Sequence, residues 1–264
     1  TPEEASLAER DETGLRWSYL AGVLYQGPRL LQGAQDALQR LRATGLPLRF
    51  VTNTSQRNRS QILNDLASLN LAVDETELFT APQAAHDYLT RHQLTPYCLF
   101  HPNLKEEFSD LEGKPPNAVL LGDAGRKFNY EHLDQAFRLL QDGAPLIAIG
   151  ENRYYQLDDG LHLDAGPFVR ALEYAADCRA IITGKPSPAF FEQVLADLGT
   201  RPEDTLMVGD DVHGDVEGAL NSGMQACLVQ TGKYRAGDEK TITGEFQLES
   251  DIRSVAETVI SLLG

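Results

Sequence analysis

The chain has 264 residues, 42% of them hydrophobic, with 39 acidic against 23 basic side chains and a formal net charge of −16. This length allows one large domain or a domain carrying an inserted second one, and the acidic balance excludes a nucleic-acid backbone or an anionic membrane surface as partner, since either would need a basic patch. No apolar stretch reaches the ~20 residues that span a bilayer, and Thr1 to Thr13 is polar and acidic, so a cytoplasmic protein with a frayed start is expected. In chain order, Leu48 to Val51 is the first clear apolar run. It follows a helical stripe of Ala34, Leu38 and Leu41 that ends at Gly45, and it precedes a second stripe of Ile62, Leu63, Leu66 and Leu69. From about Pro82 to Asp177 a middle block repeats the alternation by itself. Tyr97 to Phe100, Ala118 to Leu121 and Leu146 to Ile149 read as its strands, with Leu133, Ala136, Phe137 and Leu140 at helical spacing. Ile181-Ile182, Leu206 to Val208 and Cys227 to Val229 read as further strands. Phe190 to Leu198 and Val255 to Leu263 read as helices. Arg235 to Glu249 reads as a polar surface loop with an edge strand.

Strands alternating with helices predict an α/β protein built on a parallel sheet. Because the same style resumes after the middle block, that block reads as an insertion at 82–177 into a domain formed by 1–81 and 178–264. Cys98, Cys178 and Cys227 lack metal-type spacing and an even count, which predicts three buried small hydrophobes in a reducing compartment.

In open α/β sheets, ligands sit beyond the carboxyl ends of the strands. Thr52, Lys185 and Asp210 each follow an apolar run. A hydroxyl with backbone N–H groups can hold phosphoryl oxygens, a lysine can neutralise them, and carboxylates can hold Mg²⁺ through hard oxygens. Each part also has a plainer reading. Asn53 or Ser55 could cap the following helix, and Lys185-Pro186 could be a solvated turn before a helix starting at Pro188. Asp210, Asp211 and Asp215 are harder to explain plainly, because clustered carboxylates repel one another unless a cation sits among them.

The order Thr52-Asn53, Gly184-Lys185-Pro186 and Gly209-Asp210-Asp211 with Asp215 resembles the haloacid dehalogenase superfamily, subclass IIA. Within it the resemblance is to the branch of phospholysine phosphohistidine inorganic pyrophosphate phosphatase and its bacterial relatives. It runs from about Leu15 to Lys233 and includes Thr80-Ala81-Pro82, Gly122-Asp123-Ala124-Gly125, Arg153-Tyr154-Tyr155 and Asp164-Ala165-Gly166-Pro167. It implies a Rossmann-like core with 82–177 as a C2-type cap, and a Mg²⁺-dependent phosphohydrolase acting on a small phosphomonoester, phosphoamide or pyrophosphate. Thr52 and Asn53 would bind phosphate and Lys185 would tie phosphate to nucleophile. Asp210 would ligate Mg²⁺, as would the backbone carbonyl of Ala21. Asp211 and Asp215 would support the metal from behind or orient Lys185. Dimers formed through the cap are implied as well. Of the cap polar residues Asp123, Arg126, Arg153 and Asp164, each is expected at solvated surface.

One position departs from the pattern. Gly22-Val23-Leu24-Tyr25 fixes the register of the first motif, which puts Tyr19 where this superfamily carries the aspartate that attacks phosphorus. A phenol with a pKa near 10 is a poor Mg²⁺ ligand and is longer than Asp by a ring. The run Leu15-Arg16-Trp17-Ser18-Tyr19 is also too polar for a central parallel strand. Either this strand has degenerated with the nucleophile, or the segment as recorded departs from the working protein. Two functions follow: a phosphohydrolase impaired at Tyr19, or a pseudophosphatase that binds without turnover. A dinucleotide-binding protein is disfavoured, since no G-x-G-x-x-G follows a first strand.

Overall fold

The computed structural model describes residues 16–19, 23–26, 29–157 and 160–263, and the chain divides into two units, 1–49 with 195–264, and 50–194. The first 13 residues, expected to fray, lie outside the described residues, as do Ala21 and the side chain of Tyr19.

In the first unit four parallel strands lie in the order Gln247–Glu249, Gln225–Val229, Thr205–Gly209 and Arg16–Tyr19. Thr205–Gly209 is buried along its whole length, which is why Leu206 to Val208 within it reads as an apolar run. Arg16–Tyr19 keeps parallel register with it, Trp17 opposite Leu206 and Ser18 opposite Met207, so the polar residues of this strand have not cost it its backbone pairing. Helices Ala34–Ala43 and Ile252–Leu263 pack on each other, the first burying Ala34, Ala37, Leu38 and Leu41 and the second Ile252, Val255, Ala256 and Val259. Gly33, at φ 75°, opens the first of these; a Cβ there would lie 2.4 Å from Cδ of Arg253. Gln247–Glu249 is the edge strand expected after the polar loop.

Strand Leu48–Thr52 enters the second unit at Phe50 and runs there parallel to Leu78–Thr80, Phe50 opposite Leu78 and Thr52 opposite Thr80. Helix Arg59–Ser68 begins at a reciprocal cap: the Asn58 carboxamide accepts from the Gln61 N–H at 2.8 Å, and Gln61 Oε1 accepts from the Asn58 N–H at 3.0 Å. The cap is therefore Asn58, not Asn53 or Ser55. A second, four-stranded parallel sheet has the order Ile181–Ile182, Leu146–Ala148, Ala118–Leu121 and Pro96–Leu99. Ile181–Ile182 is thus the edge strand of the middle block's sheet. The expected insertion limits, 82 and 177, fall inside this unit. Helices Tyr130–Gln141 and Gly166–Ala176 cover the sheet, with Phe128 and Phe168 stacked at 3.8 Å between ring centroids over a core of Val119, Leu121, Ala136, Ala148 and Val169.

Only Cys227 is fully buried; Cys98 and Cys178 are partly exposed, contrary to the expectation for all three. Burial pushes the Cys98 and Cys227 thiols up to about 12, so neither is a ready nucleophile. Among the described residues no helix is long and apolar enough to cross a membrane.

Candidate phosphate loop and acidic turn

Within the second unit, Thr52 is buried as the last residue of its strand, and its hydroxyl accepts the Thr54 N–H at 3.1 Å. The chain turns there, and Asn53 faces Lys185. The Asn53 carboxamide donates to the Lys185 carbonyl at 2.8 Å and accepts the Lys185 N–H at 2.8 Å. This reciprocal pair fixes the lysine backbone from both sides, and it requires Gly184. A Cβ at Gly184 would stand 2.3 Å from the Ile149 carbonyl oxygen and 3.0 Å from Asn53 Oδ1. The plainer reading of Lys185-Pro186 holds in one respect, since helix Pro188–Leu198 does begin where expected. Of the sequence-predicted residues of this unit, Asn53 and Lys185 are in direct contact and Thr52 adjoins them in the chain.

The same loop continues into a second contact. Gln56 Nε2 donates to Asp123 Oδ2, Asp123 Oδ1 accepts the Gly125 N–H at 3.0 Å, and Asn103 Nδ2 donates to the Gln56 carbonyl at 2.9 Å. Asp123 is only 4% exposed, so the solvated role expected for it is corrected: its carboxylate is an acceptor that anchors the 53–58 loop. Arg126 and Arg153 are exposed as expected, and Asp164 is half-buried with Oδ1 accepting the Ala165 N–H.

Within the first unit, Gly209 ends its strand and Asp210 follows, 4% exposed, with Asp215 at 5%. Gly209 is required here, because a Cβ would lie 2.2 Å from Cβ of Asp215. Asp211 caps the Val212–Glu217 turn: its Oδ1 accepts the Gly214 N–H at 2.8 Å, and its own N–H donates to Asp215 Oδ2 at 3.2 Å. Lys233, in the loop after Gln225–Val229, makes two contacts. Its backbone N–H donates to Asp210 Oδ2 at 2.7 Å, and its ammonium donates to Asp211 Oδ2 at 3.1 Å. Most of the Lys233 side chain is exposed, yet crowding of its ammonium by the turn, the largest single influence on it, works against its charge. The Asp211, Asp215 and Asp210 carboxylates together outweigh it and hold the Lys233 pKa above the ordinary lysine value.

Tyr19 ends the strand beside Thr205–Gly209. With Ser18 opposite Met207, position 19 comes alongside Val208, so Tyr19 and Asp210 follow one another closely at the carboxyl ends of neighbouring strands. Carboxylate oxygens are the hard donors that Mg²⁺ takes, so Asp210 fits that ion in kind. Among the described residues no three His, Cys, Asp or Glu side chains form a closed metal cage. In the sequence Lys233 stood out only as the end of the resemblance, and Asp123 only as a cap residue expected at the solvated surface. Lys233 nonetheless obeys the rule that picked out Thr52, Lys185 and Asp210, because it too follows the carboxyl end of a parallel strand.

Two family models match the chain, one described as haloacid dehalogenase-like hydrolase over residues 19–114 and one as HAD-hydrolase-like over residues 182–257. Haloacid dehalogenase-like hydrolase domain-containing protein 2 from Bos taurus is 47% identical over 223 residues, covering 84% of this chain and 86% of that one. Phospholysine phosphohistidine inorganic pyrophosphate phosphatase from Homo sapiens is 38% identical over 250 residues, covering 92% of each chain. The p-nitrophenyl phosphatase from Archaeoglobus fulgidus shares the fold with a TM-score of 0.84 at 22% identity, covering 92% of this chain and 98% of that one. NagD from E. coli K-12 does so with a TM-score of 0.82 at 22% identity, covering 90% and 96%.

Proposed function

Because the chain belongs to the haloacid dehalogenase-like hydrolase family, we propose that its site is that of a Mg²⁺-dependent phosphohydrolase for a small phosphomonoester, phosphoamide or pyrophosphate, impaired by Tyr19. The observation that carries the reading is the Asn53–Lys185 pair directly after Thr52. A lysine whose backbone is fixed in this way starts its side chain from a defined point beside the Thr52 turn, from which its ammonium can meet a phosphoryl group. Relatives named for phospholysine, phosphohistidine and pyrophosphate, at 38 to 42% identity, support the substrate class.

In this reading Thr52 and the backbone N–H groups after it hold phosphoryl oxygens, and Lys185 neutralises them. Asp210 would hold Mg²⁺, together with the Ala21 carbonyl. When bound, the ion supplies positive charge to the phosphoryl oxygens. Asp211 and Asp215 keep the acidic turn in shape behind Asp210. Residues 82–177 act as the cap that excludes water and selects substrate, and two copies pair through it. What fails is attack on phosphorus. A protonated phenol at position 19 offers neither the nucleophile nor an anionic metal ligand.

The second reading, a pseudophosphatase, is favoured by one observation: each carboxylate of the acidic turn accepts a protein N–H, so the cluster does not depend on a metal for every one of its partners. Turnover of p-nitrophenyl phosphate and pyrophosphate with Mg²⁺ separates the two. The impaired-enzyme reading expects the native chain to be nearly silent and Tyr19→Asp to gain activity. Silence in both supports the binding module, and equal activity in both removes Tyr19 from the nucleophile position.

A further inference from the structure

Lys233 touches two of the three acidic side chains at once, by two different groups. Its N–H lies 2.7 Å from Asp210 Oδ2 and its ammonium 3.1 Å from Asp211 Oδ2. The first contact is built in by the loop. The Gln230 N–H donates to the Glu249 carbonyl at 2.9 Å, the Tyr234 N–H to the Thr231 carbonyl at 3.1 Å, and the Tyr234 hydroxyl to Glu239 Oε2 at 2.9 Å. Glu239 Oε2 also accepts the Gly237 N–H at 3.0 Å. The second contact is made by a flexible stem whose side chain is 73% exposed, so the ammonium can leave while the N–H stays.

We propose that Lys233 is a tethered counter-ion of the acidic turn, its ammonium on Asp211 opposing the binding of a divalent cation at Asp210. This rests on the phosphohydrolase reading, which puts Mg²⁺ at Asp210. Three carboxylates at Asp210, Asp211 and Asp215 repel one another, and the Lys233 ammonium offsets part of that repulsion in the metal-free protein. A cation arriving at Asp210 meets a like charge already in place and binds more weakly than the carboxylates alone would allow. With no carboxylate at position 19 to add negative charge, that opposition weighs more heavily in this chain. Lys233 is thus a positioning residue with its backbone and a regulator of metal affinity with its side chain.

Calorimetric titration of the full chain with MgCl₂ at low ionic strength tests this without any turnover. Lys233→Met should bind Mg²⁺ about three- to tenfold more tightly than the native chain, the scale of one screened charge removed from a partly exposed site. Lys233→Arg, which keeps the charge, should match the native chain, and far-UV circular dichroism checks that each variant is folded. Equal or weaker binding by Lys233→Met overturns the proposal. Repeating the pair in Tyr19→Asp separates the two levels. Tyr19→Asp binding Mg²⁺ with no gain from Lys233→Met sinks the counter-ion alone, whereas no binding in any of the variants sinks the metal reading and the counter-ion with it.

Discussion

Asn53 and Lys185, 132 positions apart, exchange two hydrogen bonds of 2.8 Å, each serving as donor and acceptor to the other. Helix Arg59–Ser68 is capped by Asn58, which leaves Asn53 to do something other than start a helix. A carboxamide matched to the N–H and the carbonyl of a single residue is a positioning device for that residue's side chain.

In the Tyr19→Asp protein, Asn53→Ala is expected to lower kcat for p-nitrophenyl phosphate about 100-fold, the scale of a misplaced catalytic group. Asn53→Asp keeps the acceptor for the Lys185 N–H and loses only the donor, so it should fall between. Steady-state kinetics on the three proteins decide the matter, and indistinguishable kcat values would remove Asn53 from any role through Lys185.

Gly184→Ala should destabilise the protein by about 1–3 kcal/mol, since the new methyl meets a backbone carbonyl that cannot step aside. The contact at 2.3 Å is with the Ile149 oxygen. Gly150→Ala is the matched control. Nothing lies within 4 Å of its Cβ, and reduced freedom of the unfolded chain should leave it neutral or better by up to about 1 kcal/mol. Urea unfolding of both variants measures the difference, and similar costs would refute the steric account.

Loss of the Asp211 carboxylate removes a helix cap. Asp211→Ala is expected to cost about 0.5–2 kcal/mol, and Asp211→Asn, which can still accept the Gly214 N–H, distinctly less. Removing the exposed His213 side chain next to it should change stability by under about 0.5 kcal/mol. Denaturation midpoints that rank His213→Ala below Asp211→Ala in stability would contradict this reading of the turn.

Glu173 supplies a pH dependence. Burial, its largest influence, disfavours the charge, but the Ala180 N–H at 2.8 Å and Arg170 at 2.6 Å outweigh it and hold its pKa below the usual glutamate value. A depressed folded pKa means stability present above the unfolded value near 4.5 and lost as pH falls through the folded one. Thermal melts from neutral pH downward should therefore fall less steeply for Glu173→Gln than for the native chain below about pH 4.5. Parallel acid limbs would show that Glu173 is not coupled to folding in this way.

Much of the architecture was legible in the sequence because buried parallel strands must be apolar from end to end. Ala118–Leu121 satisfies that rule throughout and Thr205–Gly209 does over Leu206 to Val208, and all residues of both strands are buried. Arg16–Tyr19 breaks it and could be read only from the motif following it, although its register with Thr205–Gly209 is regular. Ile181–Ile182 was legible as a strand but not as the edge of the middle block's sheet, since pairing is decided across the chain and two residues carry no partner signal. For the candidate site, the residues after strand ends stood out, while their partners did not. Asn53 reaches Lys185, Gln56 reaches Asp123, and Lys233 reaches the acidic turn only once the backbone has brought them close.

The hydrogen bonding of Asp210, Asp211 and Asp215 to backbone N–H groups bears on the history of the chain. The N–H groups of Lys233, Gly214 and Asp211 give these carboxylates work in folding as well as in any chemistry. Selection for a stable protein alone would thus preserve the trio after a change at position 19. Tyrosine and aspartate codons differ in a single base, so drift into silence and return from it are each one mutation long.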